Sequence, residues 1–264
     1  MQPTNPAQTA TSSKTTLSSN AASSRKIAPA TRRKKAVILA DGSFPTRQNL
    51  ITQILKAPYL IVCDGASSHI ARFARTPDAI IGDLDSITPR LKKRFKSQLI
   101  HISEQDTNDL TKAFNHCVNL GFEDITIFGA TGKREDHMLA NIFLLERFGE
   151  QVRSVRIKSD YGEFSYHTTP CTLSAKKGQQ ISLFSLDKEA RLTSSGLKYP
   201  LTSLALKNLN AGTLNEALGK SFSLTSEQDS PLAESKSQNH ARLIIYKAYA
   251  KRAKIALTTF DPCF

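Results

Sequence analysis

Apolar residues first gather at Ala36-Val37-Ile38-Leu39-Ala40, a short run that stops at the turn signal Asp41-Gly42. Such a run predicts a strand buried on both faces. Leu50, Ile51, Ile54 and Leu55 then recur at helical spacing, and Tyr59-Leu60-Ile61-Val62-Cys63 forms a second run closed by Asp64-Gly65. Ile70, Phe73 and Ala74 predict a short helix, and Ala79-Ile80-Ile81 a third strand before Gly82-Asp83. Leu110, Ala113, Phe114, Cys117 and Val118 repeat as i, i+3, i+4, i+7 and i+8, the stripe of an amphipathic helix that Gly121 stops. Ile125-Thr126-Ile127-Phe128 predicts a fourth strand, and Met138 to Phe148 an apolar helix ending at Gly149. Non-alternating strands interleaved with helices indicate an α/β class, with a mostly parallel, Rossmann-like sheet covered on both faces.

After about Ser154 the pattern changes. Short strand-like runs follow, among them Thr172-Leu173, Ile181-Ser182-Leu183-Phe184 and Phe222-Ser223-Leu224, separated by turn residues such as Lys177-Gly178 and Ser195-Gly196. No helical period appears up to Asp229, so a small all-β sandwich is expected. The organisation read from these shifts is an arm over 1–35, an α/β domain over 36–157, a β-sandwich over 158–230 and a basic tail over 231–264. A helix is expected around Ala241–Leu257, and the tail has no further assignment.

Charge changes the picture only once it is located. The net charge of +13 over 264 residues sits at the two ends. Residues 1–35 hold seven basic residues and no acid, residues 236–264 hold six and one acid, and the part between is nearly neutral. Nucleic-acid binding calls for a basic stripe on the fold itself, so it is not expected here. The arm is Ser/Thr/Ala-rich without apolar periodicity, which predicts disorder. It shares acid-poor composition with organelle transit peptides but shows no amphipathic Arg helix, and without an apolar stretch it is no secretory signal. No apolar run reaches the ~20 residues of a membrane span. Cys63, Cys117, Cys171 and Cys263 stand singly, with no pair at zinc spacing, which suits a reducing, cytoplasmic setting.

Candidate chemistry falls where strands end. In an open parallel sheet, ligands bind beyond the carboxyl ends of the strands. Asp64 follows the second strand, Asp83 and Asp85 follow the third, and the loop 103–109 brings Asp106 and Asp109 to the start of a helix. One of these acids could cap that helix. Capping does not account for Asp83-Leu84-Asp85 as well, and converging carboxylates call for a cation, with oxygen ligands selecting a hard ion such as Mg²⁺. Gly129-Ala130-Thr131-Gly132-Lys133-Arg134 lies between a strand and a helix, where backbone N–H groups favour anions. Its spacing differs from a P-loop, and Arg134 stands where a P-loop has Ser or Thr. His137 has no visible partner and reads as a base or as a residue orienting the loop. Asp136 is the better polar contact for a substrate.

Taken in order, these residues resemble the thiamine pyrophosphokinase family. The segments that carry the resemblance are Asp64-Gly65-Ala66, Gly82-Asp83-Leu84-Asp85-Ser86, Gln105 to Lys112, Gly129 to His137, Ser195 to Leu201 and Gly212 to Glu216. The resemblance spans about 36–229. It implies pyrophosphoryl transfer from ATP to thiamine, giving thiamine diphosphate and AMP, in a homodimer with its sites at the subunit interface. Asp83, Asp85 and Asp109 match the family's Mg²⁺ ligands, and Arg134 and Lys112 would neutralise the triphosphate. Asp64, Gly129, Gly132 and Lys133 fall among nucleotide contacts. Gln105, Asp136, Tyr199 and Asn215 fall among thiamine contacts. This chain departs from the family at Ala130 and Lys133, where further glycines are usual, at Asn108, where Thr is common, and at Thr213-Leu214, which replaces a small polar pair.

The rival reading is a Mg²⁺-dependent phosphohydrolase of the haloacid dehalogenase type, in which the first Asp of Asp83-Leu84-Asp85 would be a covalent nucleophile. That motif normally follows the first strand of its domain, whereas here two strand–helix units precede it.

Overall fold

The computed structural model describes residues 34–229 and 240–249. Its first half alternates β1 (Lys35–Leu39), α1 (Gln48–Leu55), β2 (Leu60–Cys63), α2 (Ser67–Ile70), β3 (Ala79–Gly82), α3 (Pro89–Arg94), β4 (Leu99–His101), α4 (Asp109–Asn119), β5 (Asp124–Phe128), α5 (Glu135–Gly149) and β6 (Ser154–Lys158). These six strands are parallel and lie in the order β4-β3-β2-β1-β5-β6. Strand periodicity of two splits their side chains between two cores. Ile38, Ile61, Ile81 and Ile127 face α4 and α5. Leu39, Val62, Ile80 and Phe128 pack with Leu50, Ile54 and Ile70 of α1 and α2. Phe114 of α4 stacks on Phe148 of α5 with ring centroids 3.8 Å apart, which locks the two helices together.

The second half adds β7 (Gly162–Thr168), β8 (Cys171–Ser174), β9 (Gln180–Ser185), β10 (Arg191–Ser195), β11 (Leu204–Ala205), β12 (Gly212–Glu216), β13 (Ser221–Ser226) and β14 (Arg242–Ala248). The antiparallel run β7-β14-β9-β12 continues the parallel strands past β6, making one ten-stranded sheet. A four-stranded sheet, β11-β10-β13-β8, packs over this extension, and Leu183, Leu192, Phe222, Leu224, Leu243 and Ile245 fill the space between. The β-sandwich therefore shares one of its two sheets with the α/β half.

The structure corrects several expectations. The helix expected around Ala241–Leu257 is a strand over Arg242–Ala248, paired with β7 on one side and β9 on the other. Leu243 and Ile245 point into the sandwich while Ile244 points to the helix-covered core. Both faces are buried, so the segment shows no polar–apolar alternation to betray it. Arg242 ties it down by ion pairs to Asp187 at 2.6 Å and Glu146 at 2.5 Å. Lys35, assigned to the arm, opens β1 opposite Asp124. Residues 1–33 of the arm lie outside the described residues, as do 230–239 and 250–264, Cys263 included. The short elements β4 and α3 have no counterpart in the sequence pattern.

Candidate active site

The parallel order reverses between β1 and β5, and at their carboxyl ends opens a cleft of about 410 Å³. This is the switch point at which such sheets bind ligands. Two loops close its floor. The Gly42 N–H donates to the Gly129 carbonyl at 2.5 Å and the Ser43 N–H to the Thr131 carbonyl at 2.8 Å, so the loop after β1 is zipped to the loop after β5. Gly129 makes the approach possible. Its φ is +67°, and a side-chain Cβ there would fall 2.2 Å from the Ala40 carbonyl oxygen.

One wall of the cleft is acidic. Asp64, at the end of β2, is buried, with one carboxylate oxygen bonded to the Gly65 N–H and the other without a partner. Burial first, then the negative charges of Asp109 and Asp83, push its carboxyl up to about 6. Asp83 follows β3, and the Asp85 N–H at 3.1 Å and then the Gln105 amide at 3.5 Å hold its carboxyl below the usual range. Asp109 opens α4, and Asn108 caps that helix by accepting from the Thr111 N–H at 2.9 Å. Glu104 shapes the loop before it, accepting from the Asp106 and Thr107 N–H groups at 2.9 and 3.1 Å. Lys112 lies beneath the acids, almost wholly buried, its Nζ 3.6 Å from Asp109 and donating to the Ile102 carbonyl at 3.3 Å.

The opposite wall is the turn Gly129–Gly132 with Lys133 and Arg134 at the start of α5. Lys133 sits at φ +57° and reaches across to Asp41 at 2.9 Å. Arg134 forks onto Asp136, which holds the Asp136 carboxyl down at about 2 and raises the guanidinium further. A negatively charged chain entering the cleft would meet N–H groups and cations on this side and carboxylates on the other. That suits a phosphorylated substrate bridged to the acids by a cation.

Of the residues singled out in the sequence, Asp64, Asp83, Gln105, Asp109, Lys112, Gly129, Gly132, Lys133, Arg134 and His137 line the cleft. Asp85, Asp136, Tyr199 and Asn215 do not. Asn215 is buried in the sandwich, where its carbonyl oxygen accepts from the Tyr199 and Glu216 N–H groups and its amide donates to the Tyr199 carbonyl at 2.7 Å. It holds the Tyr199 backbone, and the Tyr199 ring stands 60% exposed. Sequence reading overlooked Asp41, Asn108 and Asn141 as cleft residues. Asp41-Gly42 carries the same signal as Asp64-Gly65, an Asp-Gly step directly after a buried strand. Asn141 lies two turns into a helix and has no such marker.

A sequence model described as thiamin pyrophosphokinase, catalytic domain, matches residues 51–158, and one described as thiamin pyrophosphokinase, substrate-binding domain, matches 162–230. The chain belongs to the thiamin pyrophosphokinase family. Among relatives of the family, thiamin pyrophosphokinase 1 of Caenorhabditis elegans is 28% identical over 166 residues, which are 58% of this chain and 68% of that protein. Thiamine pyrophosphokinase of Bacillus subtilis is 30% identical over 135 residues, 48% of this chain and 63% of its own length. In structure, a Bacillus subtilis thiamine pyrophosphokinase superposes with a TM-score of 0.66 at 22% identity, covering 81% of this chain and 99% of that one. Thiamin pyrophosphokinase from Candida albicans gives 0.65 at 18%, covering 83% and 90%. These likenesses carry the fold. The phosphohydrolase alternative finds no support, since Asp83 follows the third strand and both family matches point elsewhere.

Proposed function

We propose that this chain transfers pyrophosphate from ATP to the primary hydroxyl of thiamine, releasing AMP. The observation that carries the reading is the placement of Asp64, Asp83 and Asp109 across one cleft from the Gly129–Gly132 turn, Lys133 and Arg134, in a chain of this family. The hydroxyl oxygen bonds to the β-phosphorus as the bond from that phosphorus to the α-phosphate oxygen breaks, and the hydroxyl proton passes to water. Such a transfer needs alignment and charge neutralisation more than a strong base. The glycine turn and the α5 N-terminus would cradle phosphate oxygens, and Lys112, Lys133 and Arg134 would offset their charge.

The acidic wall fits a divalent cation. A buried carboxylate oxygen without a hydrogen-bond donor, on a group whose acidity is weakened by burial and then by the Asp109 and Asp83 carboxylates, suits a cation beside it. Among the described residues no three acids, thiols or imidazoles are gathered into a ready-made metal shell. Mg²⁺ suits this arrangement, because it takes one or two carboxylates and completes its shell with water and phosphate oxygens. Asp83 and Asp109 are the residues that would hold it, with Asp64 beside them, and Asp85 stands outside the cleft. When bound, the ion would neutralise charge on the transferring phosphates.

The dimer belongs to this reading as well. Tyr199 and Leu214 of the sandwich are 60% and 72% exposed, and Leu139 and Phe143 on the outer face of α5 are 53% and 42% exposed. Exposed apolar surface of this kind suits a partner subunit. The free thiols Cys63, Cys117 and Cys171 favour a reducing compartment, the cytoplasm. No helix among the described residues is long and apolar enough to cross a membrane.

The test is direct. Incubated with ATP, Mg²⁺ and thiamine, the protein should yield AMP and thiamine diphosphate in equal amounts. ADP as the nucleotide product would overturn the reading.

A further inference from the structure

Two amides bridge the walls of the cleft. The Asn141 side-chain amide on α5 donates to the Ala130 carbonyl in the glycine turn at 3.0 Å. Its own carbonyl oxygen accepts from the Asn108 amide at 3.2 Å, and Asn108 caps α4 at the foot of the acidic wall. The direction of this relay is determined at both ends. The Ala130 carbonyl can only accept, so the NH₂ of Asn141 must face it. The Asn108 oxygen accepts from the Thr111 N–H at 2.9 Å and the Thr111 hydroxyl at 2.8 Å, so its NH₂ must face Asn141. Each amide is thus used in the one orientation that joins Ala130 to the α4 cap.

We propose that Asn141 is a positioning residue that sets the spacing between the phosphate turn and the carboxylate loop. The proposal rests on the pyrophosphoryl-transfer reading. It places on a side chain outside the acidic and basic sets the task of keeping donor and acceptor in line. A displacement of about 1 Å across such a cleft is enough to slow transfer ~100-fold. Each wall keeps its own charged groups when the relay is cut. Losing the relay therefore affects the transfer step and leaves each wall able to bind.

The experiment compares the full chain with Asn141→Ala, Asn108→Ser and the double variant. Serine keeps the helix cap but is too short to reach Asn141. Without substrates, amide hydrogen exchange over 129–134 should speed up in both single variants, including Asn108→Ser, which does not touch that turn. With substrates, kcat should fall about 10-fold or more in each single variant, while KM for thiamine and ATP stays within about 3-fold. The double variant should be no slower than the slower single one, because both cut one chain of contacts. Faster exchange confined to 108–112 in Asn108→Ser, or single effects that multiply in the double variant, would overturn the proposal. Should Asn141→Ala fail to fold, Asn108→Ser alone decides by the same exchange readout. If the unaltered chain makes no AMP, the reaction reading has failed, and exchange over 129–134 still decides the relay.

Discussion

Arg134 and Asp136 face each other as a two-pronged ion pair, with contacts of 3.1 and 2.6 Å, at the mouth of the cleft. Both side chains are largely exposed, so the pair is screened by water and is readily exchanged for a stronger partner. A triphosphate is such a partner, because guanidinium matches phosphate oxygens in the same forked geometry.

Arg134→Ala should therefore lower kcat by about 10²–10³-fold, the effect of losing one preorganised donor to developing charge. KM for thiamine should change little. Steady-state kinetics with each substrate varied in turn checks this, and a loss confined to thiamine affinity would assign Arg134 to the other substrate.

Asp83→Asn and Asp109→Asn should each abolish turnover at ordinary Mg²⁺ concentration. Their carboxylates, with that of buried Asp64, form the unbalanced negative wall. Asp109→Asn also leaves the buried Lys112 ammonium without its ion partner, so its thermal unfolding without Mg²⁺ should shift downward. Asp85→Asn offers the contrast, since Asp85 lies outside the cleft and should retain more activity than either.

His167 supplies a pH dependence outside the site. Burial first, and then the positive charges of Lys247 and Arg156, lower its imidazole from an ordinary 6.5 to about 4. The unfolded chain binds this proton near pH 6.5 and the folded chain only near pH 4. Stability is therefore full above pH 6.5 and falls as pH drops from 6.5 to 4, by up to about 3 kcal/mol. In His167→Gln, urea unfolding midpoints across that window should decline less steeply than in the parent. An unchanged slope would show that the ring titrates normally in the folded protein.

Much of the parallel half was legible because its strands are bare apolar runs ending in Asp or Gly. The same ends place Asp64, Asp83 and the 129–134 turn on one edge of the sheet. What escaped reading lies where local pattern and tertiary setting diverge. Leu243-Ile244-Ile245 reads as a helix fragment among basic residues, yet pairing on both sides makes it an interior strand. Asn215 is a ligand contact only by the family resemblance, and nothing local foretells the three hydrogen bonds it makes to the Tyr199 and Glu216 backbone. Asn141 depends on partners far away in sequence, in the turn after β5 and at the α4 cap, and no local spacing announces it.

The interior position of β14 gives a test by truncation. A chain ending at residue 230 loses Leu243, Ile244 and Ile245, all fully buried, and leaves β7 and β9 with unpaired edges. It should fail to give a cooperative unfolding transition. A chain ending at 249 keeps the strand and should unfold cooperatively.

The composite site can be tested by complementation. Tyr199 does not line the cleft of its own chain, and Asn215 holds it outward on the sandwich surface. An aromatic face suits thiamine, with its electron-poor pyrimidine and cationic thiazolium, by stacking and cation–π attraction. In a two-fold dimer, each cleft would receive the partner's tyrosine, and the arrangement would recur in both sites. Asp83→Asn and Tyr199→Ala should each be nearly inactive alone. Unfolded together and refolded as a mixture, about half of the dimers would be mixed, and one site in each would be free of both changes, so roughly a quarter of the parent activity should return. Sedimentation of a size-tagged pair must first show that mixed dimers form. If they form and no activity returns, every site carries one lesion, and Tyr199 acts within its own chain.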